Sequence, residues 1–179
     1  MRNRVLSPIV VVLAAVGFLT GPGHAATPNP IVGTWDRANS CTALVRALKG
    51  AGLADHLTDA LVGGGYFSAA SQVRPATPCL GAHNKKHSHF FTITHAFGSY
   101  DERGRQVDDG DYKLVGPGTL SFPSHAQDFG YKITVRYGIT GGKLAFRVIV
   151  PKPCAGKCRD ATTWALSAFY AGPSFSRTR

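Results

Sequence analysis

His87 and His89 have the residue types and the spacing that most clearly suggest chemistry in this sequence. In a β-strand, side chains two residues apart lie on the same face, so the two imidazole rings would be neighbours. Imidazole nitrogens bind metal ions and transfer protons near neutral pH. With His83 as a third ligand, the pair could hold a metal ion. Without a metal, it could supply the acid and the base of an isomerase or cyclase.

We nevertheless predict no metal, no cofactor and no catalytic residue at this pair, because no carboxylate lies next to it in the sequence. We expect both rings to be partly exposed at the mouth of a barrel. The sequence also lacks a Gly-x-Ser-x-Gly elbow, a His-Glu-x-x-His motif and a phosphate-binding glycine loop. Glu102 is the only glutamate. The sequence therefore favours a protein that is not an enzyme.

Three aspartates lie close together, at Asp108, Asp109 and Asp111. Such a cluster could suggest a calcium site, but the spacing and the closing glutamate of an EF-hand are missing. We expect a bulge or turn with solvated carboxylates.

The N-terminus has the three parts of a secretory signal peptide. Arg2 and Arg4 precede an apolar run at residues 5–19, and small residues lead to Ala25, after which we predict cleavage. The apolar run is shorter than the roughly 20 residues of a membrane-spanning helix, and a proline and a glycine interrupt it. We therefore predict a secreted protein with one domain, residues 26–179.

Four cysteines follow the predicted cleavage site. In an oxidising compartment, an even number of cysteines favours disulfides over a zinc site. Three pairings are possible. We favour Cys154 with Cys158, which share a turn-rich loop, and Cys41 with Cys79.

The chain is basic, with a formal net charge of +10. Removal of the signal peptide leaves 18 basic and 10 acidic side chains and a charge of +8. Such an excess favours anionic partners, but the basic residues are scattered, so we predict no specific nucleic-acid binding. Four of them share one face of a predicted hairpin and could dock weakly on anionic extracellular polymers: Lys132, Arg136, Lys143 and Arg147.

Residues 88–150 contain short alternating or β-branched runs separated by glycine-containing turns, which is typical of antiparallel hairpins. We expect a loop at residues 123–128. Residues 162–170 are apolar on both faces, and we expect them to form the last strand. Between the first strand and the hairpins, helical spacing predicts two short helices within residues 39–62.

The chain resembles small secreted bacterial lipocalin-like proteins of unknown function, which belong to the calycin type. The likeness is carried by Gly33-Thr34-Trp35, Cys41, residues 87–90, residues 97–100, residues 107–110, and the pair Cys154 and Cys158. The resemblance implies a mainly β fold, an up-and-down antiparallel barrel of about eight strands with a short helical insertion after the first strand. It also implies that Trp35 closes one end of the barrel and that a late arginine, Arg177, covers its ring.

A closed barrel of eight strands can hold one small ligand. We therefore predict that the protein binds an apolar or amphipathic small molecule in a cavity lined by Phe91, Tyr131, Tyr137, Phe146 and Trp164. The same residues could instead fill a dry core. Two alternatives remain: a secreted isomerase or cyclase that uses His87 and His89, and an adhesion module that docks on polyanions through the basic hairpin face.

Overall fold

The computed structural model describes residues 29–62, 67–68, 77–80, 83–84, 86–101, 103–170 and 174–178. The predicted signal peptide and its cleavage site lie outside these residues. Among the helices of the described ranges, none is long and apolar enough to cross a membrane.

Strands predominate in the described part of the chain, and helices interrupt them at three places. The strands are β1 (Gly33–Ala38), β2 (Phe67–Ser68), β3 (His83–Asn84), β4 (Lys86–Phe91), β5 (Ala96–Tyr100), β6 (Gln106–Asp111), β7 (Lys113–Gly116), β8 (Thr119–Ser121), β9 (Thr134–Thr140), β10 (Lys143–Val148) and β11 (Phe175–Arg177). The helices are α1 (Cys41–Gly50), α2 (Leu57–Val62, preceded by a 3-10 turn at Ala54–His56), α3 (Pro123–Phe129) and α4 (Lys157–Tyr170).

Nine strands form one antiparallel sheet in the order β6-β5-β4-β1-β11-β10-β9-β8-β7, while β2 and β3 pair separately. The sheet is a nearly closed barrel. Its two edge strands, β6 and β7, are separated in the chain only by Tyr112. The predicted antiparallel barrel with a helical insertion after β1 is therefore confirmed, with nine strands in place of about eight.

The helical insertion begins where the sequence predicts. The Ser40 side chain accepts a hydrogen bond from the backbone N–H of Ala43 and so caps α1. Leu44 and Leu48, one turn apart, are buried against the core. Both favoured disulfides are also confirmed: Cys41 with Cys79, and Cys154 with Cys158.

Trp35 is buried beside Arg177. Its side chain is 1% exposed, and its indole N–H donates to the carbonyl oxygen of Ile31 at 2.7 Å. In the β1–β11 register, Trp35 lies opposite Arg177, whose guanidinium is 4.8 Å from the ring centroid. Arg177 also donates to the carbonyl oxygens of Pro30 and Val32. The contact that the resemblance implies is present.

Two expectations about secondary structure are wrong. Residues 123–128 are not a loop but form α3, which has Pro123 in its first turn and ends at Gly130 with φ 60°. Residues 162–170 are not a strand but belong to α4. A segment that is apolar on all sides is compatible with a buried helix as well as a central strand, and its alanines favour the helix.

The C-terminal half of α4 packs against inward-facing aromatic side chains of the barrel. Ala165, Ala168 and Phe169 are buried. The Phe169 ring lies 4.9 Å from the ring of Phe146 on β10 and 5.6 Å from that of Phe97 on β5. Phe169 therefore takes part of the space that a ligand would use in a hollow barrel.

A buried arginine satisfies the backbone at the C-terminal end of α4. The last carbonyl groups of a helix have no partner within it. The Arg37 guanidinium donates to the carbonyl oxygens of Phe169 at 2.9 Å and Ala168 at 2.8 Å, and its Nε donates to Asn39 at 3.1 Å. The positive charge also complements the negative end of the helix dipole.

His89 completes this polar cluster. Its Nε2 lies 2.9 Å from the carbonyl oxygen of Ala168. Because a carbonyl can only accept, Nε2 carries the proton. Burial, together with the charge of Arg37, lowers the pKa of His89 from 6.5 to about 3. Burial and the neighbouring His89 and Arg37 also lower the pKa of His87. Both rings are therefore neutral near pH 7.

The depressed pKa values predict a loss of stability in mild acid. The unfolded chain takes up protons on these histidines below about pH 6.5, whereas the folded protein does not, so acid favours unfolding. We expect the free energy of unfolding to be nearly constant above pH 7. Between about pH 6 and pH 4.5 it should fall by about 1.4 kcal/mol per pH unit for His87 and by the same amount for His89. Urea denaturation across this range measures the slope.

The matched variants are His89→Gln, which keeps a donor for Ala168, and His95→Asn, which removes an exposed histidine. His89→Gln should reduce the slope of the free energy of unfolding against pH, and His95→Asn should change this slope much less. A wild-type stability that is flat between pH 7 and pH 4.5 would contradict the assignment.

Loss of the Arg37 side chain should destabilise the whole domain. Arg37→Met leaves the buried carbonyl group of Phe169 without its donor and removes one of the two donors to that of Ala168, and we expect a cost of about 3 kcal/mol or more. Arg103→Met, at an exposed turn position, should change the free energy of unfolding by less than about 0.5 kcal/mol. Urea denaturation at pH 7.5 compares the two, and equal effects would rule out the capping role.

Candidate functional site

A cleft of about 410 Å³ lies where α2, β6 and α3 meet α4. We call it the α2–α4 cleft. Its walls combine apolar, hydroxyl and acidic side chains: His56, Asp59, Ala60, Val107, Asp108, Phe129, Asp160, Thr163, Trp164 and Ser167.

Helical spacing brings the α4 residues of the cleft together. Asp160, Thr163, Trp164 and Ser167 are three, four and seven residues apart, so they share one face of the helix. Thr163 and Ser167 each donate to a backbone carbonyl four residues earlier at 2.8 Å. Their hydroxyl oxygens keep acceptor capacity towards the cleft.

Trp164 is held in a fixed orientation by the aromatic core. Its ring stacks on His125 with 4.1 Å between centroids. Phe122 and Phe169 meet it edge to face, each at 5.7 Å. The indole is half-buried, so part of it remains available at the cleft wall.

His125 is fixed in turn by a carboxylate. The buried His125 ring donates from Nε2 to Oδ1 of Asp108 at 2.7 Å. The other carboxylate oxygen, Oδ2, is buried and accepts no hydrogen bond from any described residue. Gly110 gives the ring its space, because a Cβ there would lie 2.9 Å from the imidazole Cε1.

A second carboxylate, that of Asp111, connects β6 to α3 by hydrogen bonds. Asp111 accepts hydrogen bonds from the backbone N–H and the hydroxyl of Ser124. These bonds to Ser124 hold the pKa of Asp111 below its ordinary value. The expectation of solvated carboxylates is therefore wrong for Asp108 and Asp111, because α3 packs against them; Asp109 is exposed.

The cleft is acidic. Asp59, Asp108 and Asp160 line it, and none of its ten described lining residues is lysine or arginine. The nearest cation along the chain, Arg159, is already paired with Asp55. The excess of carboxylates is opposite in sign to the net charge of the protein.

Arg159 also orients the histidine of the cleft. Its Nε donates to Nε2 of His56 at 3.3 Å. In the neutral ring, the proton is then on Nδ1, which lies 3.9 Å from a carboxylate oxygen of Asp160. His56 therefore presents a donor beside the acidic wall.

The five residues predicted to line a cavity do not meet in one place. Trp164 lines the α2–α4 cleft. Phe91 and Phe146 are buried in the core, with 6.0 Å between their ring centroids. Tyr131 and Tyr137 are half-buried, and the hydroxyl of Tyr137 donates to Asn29 at 3.3 Å.

The histidine pair is in the core and not at a barrel mouth. His87 is 1% exposed and His89 0%, so the expectation of partly exposed rings is wrong. The reason is that β4 directs these alternate positions inwards, opposite Arg37 and Trp35 of β1. The His83 side chain lies outside the described residues. Within the described ranges, no group of three or more histidine, cysteine or acidic side chains could hold a metal ion.

The predicted basic face is exposed but not compact. Arg136 and Arg147 lie directly opposite each other in the β9–β10 register. Lys143 is at the far end of the hairpin, where it donates to Ser176 at 2.7 Å, and Lys132 precedes β9. Of the four basic residues of this face, the two arginines are the pair that lies closest together.

Sequence reasoning missed most of the α2–α4 cleft. The signal in α4 was the spacing of Asp160, Thr163, Trp164 and Ser167, which becomes informative only if the segment is interpreted as a helix. The pairing of Asp108 with His125 has no local sequence signal, since 17 residues separate them.

No family model, curated protein or solved structure matches this chain, so the fold and the α2–α4 cleft are the observations on which a functional conclusion can rest.

Proposed function

We propose that this protein binds a small amphipathic cation in the α2–α4 cleft. A barrel-like β fold fits a binding role. The observation that carries the proposal is the combination of the Trp164 ring with three carboxylates and no lining lysine or arginine. Aromatic faces and carboxylates together are the usual recognition elements for organic ammonium groups.

The size and rigidity of the cleft support this proposal. Its volume of about 410 Å³ lies within the usual range for small-molecule sites. Trp164 stacks on His125, which in turn is bound to Asp108, so the aromatic wall is formed before a ligand arrives. A preformed wall lowers the entropic cost of binding.

Each ligand group has a matching contact in the cleft. The carboxylates of Asp59 and Asp160 are exposed and would attract a positive charge, and Asp108, whose Oδ2 is buried, adds a third carboxylate to the wall. Phe129, Val107 and Ala60 would cover the apolar part of the ligand. An amine or quaternary ammonium group on an aromatic or branched apolar body fits this arrangement.

Two other readings have less support. A ligand in the barrel interior would have to share that space with the Phe169 ring, which packs among the inward-facing aromatics. An enzyme based on His87 and His89 would need substrate access, and both rings are buried.

We further propose that the protein is exported, with residues 1–25 removed, and that it is related to the lipocalin-like proteins that it resembles. The two disulfides indicate an oxidising, extracellular environment. The stacking of Arg177 on Trp35 supports the relationship. Weak binding to anionic polymers through the basic hairpin face is a separate proposal, supported by the exposure of Arg136 and Arg147.

Calorimetric titration with benzyltrimethylammonium chloride tests the α2–α4 cleft. We expect saturable binding to the wild type and much weaker binding of benzyl alcohol, which has no charge. The double variant Asp59→Asn, Asp160→Asn should bind the ammonium compound about fivefold to tenfold more weakly, because two partly solvated ion pairs are lost.

The matched control is Asp109→Asn, Asp128→Asn, which makes the same change of charge at two exposed positions that do not line the cleft. It should bind as the wild type does. Absence of wild-type binding, or an equal loss in both double variants, would refute the proposal.

A further inference from the structure

A second hollow, of about 590 Å³, lies between α1 and the end of β10, next to the Cys154–Cys158 loop. We call it the α1–β10 groove. Leu166 of α4 contributes to it, and because Leu166 is two residues from Trp164, it lies on the opposite side of α4 from the acidic cleft.

The floor of the groove is apolar. Ala43 and Ala47 of α1 and Ala51, which directly follows the helix, recur every four residues, and their small side chains leave a shallow channel above it. Val148 and Leu166 are buried beneath it. Such a floor can cover an alkyl chain.

The rim of the groove is cationic. Arg46, Arg147 and Lys152 line it, all three are exposed, and its described lining includes no aspartate or glutamate. Arg136 lies directly opposite Arg147 in the β9–β10 register. None of the ion pairs formed among the described residues involves these four cations.

Arginines directly opposite each other on adjacent strands repel and destabilise the sheet. An anion at the rim would remove this repulsion, and arginine forks bind phosphate oxygens with two parallel hydrogen bonds. Because the apolar floor lies next to the cationic rim, the matching ligand has both an anionic group and an apolar chain.

We propose that the α1–β10 groove binds a single-chain alkyl phosphate, with the phosphate at Arg46, Arg147 and Lys152 and the alkyl chain on the alanine floor. The charge complementarity of the rim selects the headgroup, and the floor selects the chain. This site is independent of the acidic cleft and takes a ligand of opposite charge.

Dodecyl phosphate, used below its micelle concentration, is the probe for the groove, and calorimetry measures its affinity. We expect binding that is about tenfold or more tighter than that of dodecyl maltoside, which has the same chain without a charge. Inorganic phosphate alone should bind far more weakly than dodecyl phosphate, because it has no chain to bury.

The groove variant Arg46→Gln, Arg147→Gln, Lys152→Gln should lose about tenfold or more of this affinity. The matched control is Arg103→Gln, Lys113→Gln, Lys157→Gln, which removes the same charge from exposed positions outside the groove and outside the basic hairpin face. We expect the control to keep its affinity for dodecyl phosphate.

Ala47→Phe provides a second test that leaves every charge in place. The added ring would fill the channel above α1, so binding of dodecyl phosphate should be lost while binding of benzyltrimethylammonium at the acidic cleft persists. Equal losses in the two triple variants, an Ala47→Phe variant that binds as tightly as the wild type, or no wild-type binding would each overturn the proposal.

Discussion

The fold depends on the burial of a helix end. The C-terminal end of α4 lies against the inner face of the barrel, where its last carbonyl groups have no access to water. Arg37 and His89, both inward-facing strand residues, donate to the carbonyl oxygens of Ala168 and Phe169. An apolar side chain in place of Arg37 would leave the carbonyl of Phe169 unsatisfied, and one in place of His89 would remove one of the two donors to the carbonyl of Ala168. The hydrogen bonds from Arg37 and His89 therefore allow the end of α4 to lie against the inner face of the barrel.

This helix contributes to both candidate binding surfaces. Phe169 packs among the inward-facing aromatics, so the chain itself takes part of the usual ligand space of a small barrel. Both hollows instead include α4 residues, Trp164 on one side and Leu166 on the other. One has carboxylates and the other has cations, so the same helix supports two surfaces of opposite charge.

Local signals explain which parts of the structure could be predicted from the sequence. Strand alternation, the helical spacing within residues 39–62 and the close spacing of Cys154 and Cys158 each act over a few residues, and each led to a correct prediction. The failures involve long-range packing. The histidines of β4 were correctly placed on one face, but the sequence could not show that this face meets Arg37 and the end of α4. The apolar segment 162–170 has no periodicity that separates a buried helix from a buried strand.

The most direct test of the central claim follows the two tryptophan indole N–H signals by NMR during titration with benzyltrimethylammonium. The chain has only two tryptophans: Trp35, which is buried beside Arg177, and Trp164, which lines the acidic cleft. A ligand that binds in the α2–α4 cleft should shift the Trp164 signal saturably and leave the Trp35 signal unchanged. A saturable shift of Trp35 with Trp164 unmoved would place the ligand away from the cleft and contradict the account.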